Sequence, residues 1–333
     1  MKEKLLRALR EAGQNYLSGE ALCKKFGVSR QAVWKNITTL KELGYEIDSV
    51  NGLGYRLESS PDMLYGPDMQ SRLPEDCLFR EVACFEELDS TNTRAKQLAE
   101  IGAREGLLVM AEKQTAGKGR RGRGWESEAG VNVYMTLLLR PSLPPSRMPG
   151  ITLLAALAIT RGIHEVCGIQ AEIKWPNDVV LNGKKICGIL TEMSSEEDFI
   201  HYVAVGIGIN INEQEFSEEL KSKATSLLME LKEPVDRCQV AAAVIAALCE
   251  YYKRFQSQGD LSFIVEEYNH VLANKDKQVR VYYDMVESAR EGEPEEGIAR
   301  GIDSDGALLV EIDGNLKRII SGEVSVRGMN GYV

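Results

Sequence analysis

The chain has 333 residues, of which 44% are hydrophobic and 27% are charged, and its formal net charge is −10. This length exceeds the usual single domain and predicts two or three folded units. No run approaches the roughly 18 apolar residues of a membrane span, and the first residues do not resemble an export signal. Composition therefore favours a cytoplasmic protein without a membrane anchor, and we expect the longest apolar run, 151–160, to be a core helix.

Cysteine and histidine usage excludes several classes of site. The seven cysteines include no Cys-x-x-Cys pair, and the three histidines lack metal-ligand spacing or a neighbouring nucleophile elbow. This pattern argues against a disulfide framework, a zinc ribbon and a triad hydrolase. We predict reduced, structural cysteines and no protein-built metal site.

Charge is distributed unevenly along the chain. Residues 1–60 contain ten Lys or Arg and seven Asp or Glu, a net charge of +3, which leaves −13 for the remainder. Such asymmetry is typical of a nucleic-acid-binding head, although a solvated basic face gives the same pattern.

The N-terminal segment has the pattern of three helices followed by a hairpin. Apolar residues recur at helical spacing, Ser29 is a suitable N-cap for the third helix and Gly44 ends it. The predicted helices cover residues 2–12, 18–26 and 30–43. The strands 45–50 and 53–57 flank Asn51-Gly52, which predicts a type I′ turn. We assign residues 1–62 to a winged helix-turn-helix domain, since 58–62 has linker composition.

The third predicted helix presents side-chain types that contact phosphates and base edges in the major groove. These candidate DNA-binding residues are Ser29, Arg30, Gln31, Trp34, Lys35 and Thr38. DNA binding is favoured over the alternative, a winged helix that binds only protein. Because helix-turn-helix proteins usually read two half-sites, we expect a homodimer on a pseudo-palindromic operator.

Beyond residue 62 the pattern changes to alternating strands and helices. Ser90-Thr91-Asn92 lies between a predicted strand, 84–88, and a predicted helix, 93–101. Polar residues at this position either cap the helix or bind a polar ligand at its N-terminus.

The glycine-rich loop 117–125 is the most informative feature of the chain. It carries four glycines and four cations and formally matches Gly-x-Gly-x-x-Gly, but a strand at 131–139 follows it instead of a helix. A dinucleotide fingerprint is therefore excluded, as is a protein kinase, because neither His-Arg-Asp nor Asp-Phe-Gly follows. The loop predicts a flexible clamp that neutralises a polyphosphate; the alternative is a basic loop that binds nucleic acid.

A second motif, Lys174-Trp175-Pro176-Asn177-Asp178, opens a hairpin that turns at Asn182-Gly183. Strand alternation places one of Lys184 and Lys185 inward, where a buried lysine needs an anionic partner. The alternative is that both lysines are exposed at the turn.

The pattern of the C-terminal part predicts two helices, 235–256 and 261–272, followed by five short strands. The predicted strands are 279–283, 297–302, 307–312, 316–320 and 323–326. This spacing predicts a small SH3-like β-barrel over residues 275–333. Its role is either to help bind ATP or a carrier domain, or to cap the neighbouring domain.

The loop and the hairpin motif together resemble the signature of biotin protein ligases. Ser90-Thr91-Asn92, Gln114 and Gly206-Ile207-Gly208-Ile209-Asn210 occur in matching order, and the winged helix is similar to that of the bifunctional members that also repress transcription. The resemblance covers the whole chain and implies an α+β protein with a central mixed-sheet ligase domain, class II synthetase-like, over 63–274. Lys118 departs from it, since the family commonly has an arginine there; the charge is kept but a bidentate fork is lost.

The resemblance implies that biotin and ATP react to give biotinyl-5′-AMP, with Mg²⁺ expected, and that a lysine of a biotin carboxyl carrier domain accepts the biotinyl group. The acceptor would belong to acetyl-CoA carboxylase or pyruvate carboxylase. Lys185, Arg120 and Asp178 are the implied catalytic residues; Lys185 would neutralise the reacting oxygens and Arg120 would keep water from the adenylate. Asp178 would either bind Mg²⁺ or orient the incoming acceptor lysine. The implied biotin-binding residues are Ser90, Thr91, Asn92, Gln114, Lys118, Gly119, Arg120 and Lys185. The implied adenylate-binding residues are Gly117, Lys118, Arg120, Arg121, Trp125, Asn177 and Asn210.

The same resemblance implies that biotinyl-5′-AMP is the corepressor that promotes dimerisation and operator binding. Two alternatives remain open at this point. A non-catalytic biotin-sensing repressor would differ at Arg120, Lys185 and Asp178, all of which are present. A lipoate ligase would share the architecture but lack the glycine-arginine loop.

Overall fold

The computed structural model describes residues 1–283, 294–321 and 324–328, with the backbone alone for 324 and 325. The helices in these residues are α1 (Lys2–Ala12), α2 (Gly19–Phe26), α3 (Arg30–Glu42), α4 (Gly66–Arg72), α5 (Thr91–Glu100), α6 (Pro149–Cys167), α7 (Leu227–Leu231), α8 (Arg237–Gln258) and α9 (Val265–His270). The strands are β1 (Glu46–Val50), β2 (Gly54–Ser59), β3 (Glu81–Leu88), β4 (Leu107–Gln114), β5 (Val133–Leu139), β6 (Glu172–Lys174), β7 (Asp178–Leu181), β8 (Lys184–Ser195), β9 (Ile200–Ile209), β10 (Gln278–Tyr283), β11 (Glu295–Ile302), β12 (Leu308–Ile312), β13 (Asn315–Ile319) and β14 (Val324–Gly328).

The N-terminal unit is a three-helix bundle with a two-stranded wing. Its core is a separate cluster in which Leu5, Leu9, Val33 and Ile37 are buried, as the helical spacing of the sequence requires. The hydroxyl of Ser29 accepts a hydrogen bond from the amide of Ala32 at 3.2 Å, so the predicted N-cap is present. The third helix ends at Glu42, one residue before the predicted end.

The turn of the wing differs from the predicted type I′ turn. Gly54 pairs with Val50, so the loop has three residues, and only Gly52 of the Asn51-Gly52 pair has a positive φ, of 84°. A type I′ turn requires positive φ at both central residues. The prediction of turn type is therefore wrong here, whereas at the second Asn-Gly pair Asn182 and Gly183 have φ of 51° and 75° and form the predicted turn between β7 and β8.

A seven-stranded mixed sheet forms the centre of the molecule. Its strand order is β3-β4-β5-β9-β8-β7-β6, in which β3 and β4 are parallel and the other neighbours are antiparallel. Helix α5 packs on one face and contacts β4, β5 and β9. The long helices α6 and α8 pack on each other, and α6 contacts β6 to β9. The mixed-sheet α+β class expected from the sequence is confirmed.

Helix α6 is longer than the predicted 151–160 helix. By length and composition alone, Pro145–Cys167 could cross a membrane, so the expectation that no segment reaches this length is wrong by that criterion. However, 72% of its most apolar stretch of 18 residues is buried inside the protein, as in the core helix of a compact domain.

The C-terminal strands form a five-stranded antiparallel sheet of order β13-β12-β11-β10-β14. Its buried side chains, including Val279, Ile302 and Leu308, belong to the same apolar cluster as the core of the central sheet. The indole of Trp175 joins the two parts, because its Nε1 donates to the carbonyl of Gly306 at 3.2 Å. The first residue of the predicted strand 323–326 lies outside the described residues.

Charged contacts hold the winged helix on the central unit. Asp68 at the start of α4 is 1% exposed and forms ion pairs with Arg10 of α1 and with Arg72, the latter at 2.9 Å. Arg72 also pairs with Asp236 at 2.8 Å, directly before α8. Glu3 of α1 pairs with Arg80 at the edge of the same interface.

Candidate active site

A single pocket gathers most of the residues singled out in the sequence. It lies over the centre of the seven-stranded sheet, between the start of α5 and the glycine-rich loop. Its lining residues are Ser90, Thr91, Asn92, Gln114, Lys118, Gly119, Arg120, Trp125, Asn177, Lys185, Gly188, Ile189, Leu190, Gly206, Ile207 and Gly208. The combination of apolar floor, few polar groups and cationic rim suits a small ligand with a neutral polar end and an anionic end.

Neutral hydrogen-bonding groups occupy one end of the pocket. The side-chain oxygen of Gln114 accepts from the amide of Thr91 at 2.9 Å and lies 3.2 Å from its hydroxyl, while the hydroxyl of the buried Thr136 lies 2.6 Å from Oδ1 of Asn92. Ser90 is the N-cap residue of α5 but makes no side-chain capping bond. The side chain of Ser90 therefore does not cap α5, and Thr91 and Asn92 bond to Gln114 and Thr136 in the wall of the pocket.

Four neighbouring strands contribute a row of paired positions beneath the pocket. Lys174 pairs with Asp178, Asp178 with Gly188, and Gly188 with Gly208. Directly paired residues in antiparallel strands lie on the same face. The two glycines therefore leave a gap in the row of side chains, with a cationic and an acidic side chain at one end.

The indole of Trp125 fills that gap. A Cβ added to Gly188 or Gly208 would lie 2.8 Å from its ring atoms, so only glycine admits the ring this close. The ammonium of Lys185 lies over this ring, 5.2 Å from the ring centroid. Its Nε1 is buried and has no hydrogen-bond partner among the described residues. The indole forms an aromatic surface inside the pocket on which a planar ring could stack.

The glycine-rich loop folds back as a short irregular hairpin. The amide of Trp125 donates to Gly117 at 2.9 Å, and that of Gly119 donates to Arg123 at 2.7 Å. A turn at Arg120–Gly122 places Arg121 at a φ of 59°. This closed geometry brings the guanidinium of Arg120 to Oδ1 of Asn177 at 2.8 Å, so the loop contacts the hairpin motif directly.

Lys185 faces the pocket, as one of the two turn lysines was expected to do. Its Nζ lies 2.7 Å from Oδ1 of Asp178, and both side chains are largely shielded from solvent. Lys184 does not line the pocket. Lys174 is 8% exposed; burial lowers its pKa to about 8, although Asp178 partly opposes the shift.

Three residues expected to bind the adenylate lie outside the pocket lining. Gly117, the first residue of the loop, packs against its last residue, and an added Cβ would be 2.4 Å from the carbonyl of Trp125. Arg121 is exposed on the loop. Asn210 is 5% exposed, and its side-chain amide donates to the carbonyl of Thr225 at 3.1 Å instead of facing the pocket.

Sequence reasoning missed four polar side chains around the pocket. Ser127 accepts from Nε2 of Gln114 at 3.0 Å, Glu192 accepts from Asn92 at 2.8 Å, and Lys96 pairs with Glu192 at 2.6 Å. Thr136 contacts Asn92 from β5. A threonine inside an apolar strand and a Glu near a strand end have no distinguishing pattern, so only the fold brings them to the site.

The candidate DNA-binding residues line the outer face of α3. Ser29, Arg30, Gln31, Trp34 and Lys35 are exposed and Thr38 is half-buried. Trp34 is 60% exposed, which is unusual for so large an apolar side chain. Arg30 is held by Glu20 of α2 at 3.4 Å. This face is open for a nucleic-acid contact.

Comparison with known proteins decides the family. Family models match in chain order: an HTH domain over 2–56, the Biotin/lipoate A/B protein ligase family over 84–210, and the Biotin protein ligase C terminal domain over 285–327. The bifunctional ligase/repressor BirA of Bacillus subtilis (strain 168) is 38% identical over 330 residues, 98% of each chain. The chain belongs to the biotin protein ligases. The resemblance inferred from the sequence is thereby confirmed, as is the winged-helix, bifunctional type.

Other members of the family show the same relationship. The bifunctional ligase/repressor BirA of Escherichia coli (strain K12) is 31% identical to this ligase over 95% of the chain and 94% of its own length. The solved structure of the biotin protein ligase from Aquifex aeolicus in complex with biotin and ATP has a TM-score of 0.64 and 30% identity, and it covers 75% of this ligase and 100% of that chain.

Proposed function

We propose that this biotin protein ligase condenses biotin with ATP to give biotinyl-5′-AMP and pyrophosphate. It then transfers the biotinyl group to a lysine amine of a biotin carboxyl carrier domain, which forms an amide and releases AMP. The acceptor is a domain of acetyl-CoA carboxylase or of pyruvate carboxylase. The observation that carries the proposal is the placement of Lys185. Its ammonium lies between Asp178 and the indole of Trp125, in a pocket with neutral polar groups at one end and a cationic loop at the other.

The pocket supports a division of roles. The polar groups of Ser90, Thr91, Asn92 and Gln114 suit the neutral ureido ring of biotin, which needs amide and hydroxyl partners when it is buried. The cationic side chains of Lys118, Arg120 and Lys185 suit the carboxylate and the phosphates. In this proposal the adenine ring of ATP stacks on the indole of Trp125. Gly117, Gly119, Arg121 and Asn177 shape the phosphate loop, and Asn210 supports the floor from behind.

Lys185 neutralises the negative charge that gathers when the biotin carboxylate approaches the α-phosphate. Asp178, at 2.7 Å, holds this ammonium in place. Arg120, braced by Asn177, closes the loop over the adenylate and keeps water and stray amines away from it. A free acyl-adenylate would otherwise acylate lysines indiscriminately.

Mg²⁺ belongs to the proposal as a companion of ATP. Magnesium in such sites is usually held by phosphate oxygens and one or two carboxylates. Asp178 does not line the pocket, but it contacts Lys185, which does, and it is the carboxylate that we propose for this role. Bound there, Mg²⁺ would supply charge neutralisation on the phosphates.

The exposed face of α3 supports a second activity, repression by a homodimer bound to operator DNA. In this proposal the three units are the DNA-binding domain 1–62, the catalytic domain 63–274 and the C-terminal domain 275–333. Biotinyl-5′-AMP orders the loop 117–125 and thereby favours the dimer. Sedimentation with and without the adenylate tests this step, and equal dimerisation constants would contradict it.

The adenylation step is tested by ATP–pyrophosphate exchange with biotin, using lipoate and octanoate as control acids. We expect biotin-dependent exchange that falls by roughly 100-fold or more in Lys185→Ala, as for the loss of a positioned electrostatic donor. Lys184→Ala is the matched control, because this neighbouring lysine does not line the pocket. Absence of exchange with any acid would favour a non-catalytic biotin-sensing repressor, and exchange with lipoate would favour a lipoate ligase.

A further inference from the structure

The amide of Asn92 is held from three sides. Its Nδ2 donates to the carboxylate of Glu192 at 2.8 Å and to the carbonyl of Leu190 at 3.1 Å. Its Oδ1 lies 2.6 Å from the hydroxyl of Thr136. Asn92 is 3% exposed, so water cannot easily replace any of these partners.

These partners fix which end of the amide faces the ligand. A backbone carbonyl and an ionised carboxylate can only accept hydrogen bonds, so the NH₂ group must point toward Leu190 and Glu192. Oδ1 must then point the other way, toward Thr136 and the floor of the pocket. A Cβ added to Gly206 would lie 2.1 Å from Oδ1, which places this oxygen directly over the pocket floor.

Oδ1 retains capacity for one more hydrogen bond. A carbonyl oxygen accepts two, and Thr136, whose one hydroxyl hydrogen is also within reach of Thr91 at 2.9 Å, supplies at most one. The remaining acceptor position would favour a ligand donor and disfavour a ligand acceptor. The opposite orientation of the amide would set its oxygen against two acceptors and leave its NH₂ group in the pocket.

We propose that Glu192 is a positioning residue that sets the hydrogen-bond polarity of the pocket, so that Asn92 offers an acceptor to a ureido N–H of biotin. This inference rests on the proposed function, since it names the group of the substrate that Asn92 recognises. Glu192 acts through Asn92 and does not line the pocket itself.

Glu192 remains ionised under ordinary conditions. Burial acts to raise its pKa, but hydrogen bonds from Lys96 and Asn92 outweigh that effect and hold the pKa below its usual value. Lys96 pairs with the other carboxylate oxygen at 2.6 Å. The carboxylate is therefore a pure acceptor across the neutral pH range, which the orientation of Asn92 requires.

The test compares three variants of the full chain by calorimetric titration with biotin and by steady-state exchange kinetics. Glu192→Met removes the acceptor at similar length and should raise the Kd for biotin about tenfold, as for one lost ligand hydrogen bond. The KM for ATP and kcat at saturating biotin should change less than twofold. Glu192→Gln keeps an acceptor oxygen and should raise the Kd clearly less, and Lys96→Met, which keeps the carboxylate, should stay within about twofold of wild type.

The results of these measurements distinguish failure of the proposed positioning role of Glu192 from failure of the proposed ligase function. If the wild-type chain shows no binding of biotin and no exchange, the proposed function fails. If the wild type binds biotin but Glu192→Met binds it equally well, the positioning role is refuted. A Gln variant as weak as the Met variant would also overturn it, because charge rather than hydrogen-bond polarity would then be the cause. A general loss of folding would lower kcat and raise both constants together, unlike the selective effect expected here.

Discussion

Individual glycines shape the ligand pocket as much as its polar side chains do. Gly188 and Gly208 admit the indole of Trp125, and Gly206 admits the amide oxygen of Asn92. All three lie within regular strands, where a glycine ordinarily weakens the strand. Their cost in the sheet is offset by the close approach that each allows, which is why a strand glycine often marks a ligand site.

Gly206→Ala should therefore impair biotin binding before it impairs the fold. The new Cβ would lie 2.1 Å from Oδ1 of Asn92, which three partners hold in place, so Asn92 must shift. We expect the Kd for biotin to rise at least tenfold and stability to fall by about 1–3 kcal/mol, as in overpacked cores. Titration calorimetry and urea unfolding measure the two effects. Gly19→Ala is the control, since its Cβ would meet only Tyr55 at 3.7 Å; wild-type biotin affinity in Gly206→Ala would contradict the prediction.

Lys174 should make stability depend on pH. Its folded pKa is about 8 and its ordinary value is 10.5, so between these values the unfolded chain holds a proton that the folded chain has released. Stability therefore rises with pH through this window, because burial of the charged ammonium is no longer required. The full change is up to roughly 3 kcal/mol.

Urea unfolding at pH 8, 9 and 10 measures this rise, and Lys174→Met should abolish its share of the slope. Lys184→Met, at a lysine that is half exposed, should leave the slope as in the wild type. An identical pH profile for the wild type and Lys174→Met would show that another group causes the dependence.

Secondary-structure elements show where sequence patterns suffice and where they do not. The Asn-Gly pairs at 51–52 and 182–183 both lie in predicted hairpins, but of these two only Asn182-Gly183 forms a type I′ turn. At the wing, Leu17 and Tyr55 exchange backbone hydrogen bonds at 2.9 Å, and Gly54 lies so close that an added Cβ would be 2.0 Å from the carbonyl of Leu17. A tertiary contact from outside the hairpin therefore sets the register of the wing, and local turn preference could not predict it.

The candidate site was predictable to the extent that its residues fall in motifs. Ser90-Thr91-Asn92, Gln114 and the loop lie together around one pocket, as the resemblance implied. Thr136, Ser127 and Glu192 were not predictable, because their roles depend on strand neighbours distant in sequence. Hydrogen bonds between buried polar groups leave no periodicity in the sequence, whereas buried apolar faces do.

The hydroxyl of Ser127 is one of the contacts that hold the loop 117–125 at the pocket, beside those of Arg120 with Asn177 and Lys118 with Thr93. Ser127 accepts from Nε2 of Gln114 at 3.0 Å and donates to the carbonyl of Trp125 at 3.1 Å. Gln114 in turn accepts a hydrogen bond from the amide of Thr91 at the start of α5. Movement of the loop and occupation of the pocket by ligand should be linked through this contact.

Ser127→Ala should loosen the loop without dismantling the pocket. Loss of about 1 kcal/mol of hydrogen bonding corresponds to roughly fivefold faster release of biotinyl-5′-AMP and to faster hydrogen exchange at the amides of 117–125. Exchange detected by mass spectrometry and trapping of released adenylate measure both. Ser257→Ala is the matched control, because the hydroxyl of Ser257 donates to the carbonyl of Arg254 within α8, at 2.8 Å, and does not contact the loop. An unchanged rate of biotinyl-5′-AMP release in Ser127→Ala would show that this hydroxyl does not restrain the loop.

The DNA-reading head contacts the catalytic unit through a network of ion pairs, beside which Tyr65 of the catalytic unit packs against the apolar core of the head. The apolar core of the head is a cluster of its own, whereas the central and C-terminal parts share one core. Asp68 links the two units, since Arg10 of the head and Arg72 of the central unit both form ion pairs with it. Such long-range ion pairs have no signature in the sequence, and they fix the angle at which α3 is presented.

Asp68→Asn should release the head while sparing the ligase chemistry. The change leaves Arg10 and Arg72 without their shared buried anion, and breaking such a pair costs about 3–5 kcal/mol. Calorimetry should then show the head unfolding before the rest, where the wild type unfolds in a more cooperative transition, and operator affinity should fall because the two heads of a dimer are no longer held at a fixed spacing. ATP–pyrophosphate exchange should stay within twofold of wild type, since no residue of α1 or α4 lines the pocket. Glu3→Gln removes the more exposed pair with Arg80 at the same interface and should have a much smaller effect. If Asp68→Asn kept both the thermal profile and the operator affinity, the orientation of the head would have to depend on the linker alone.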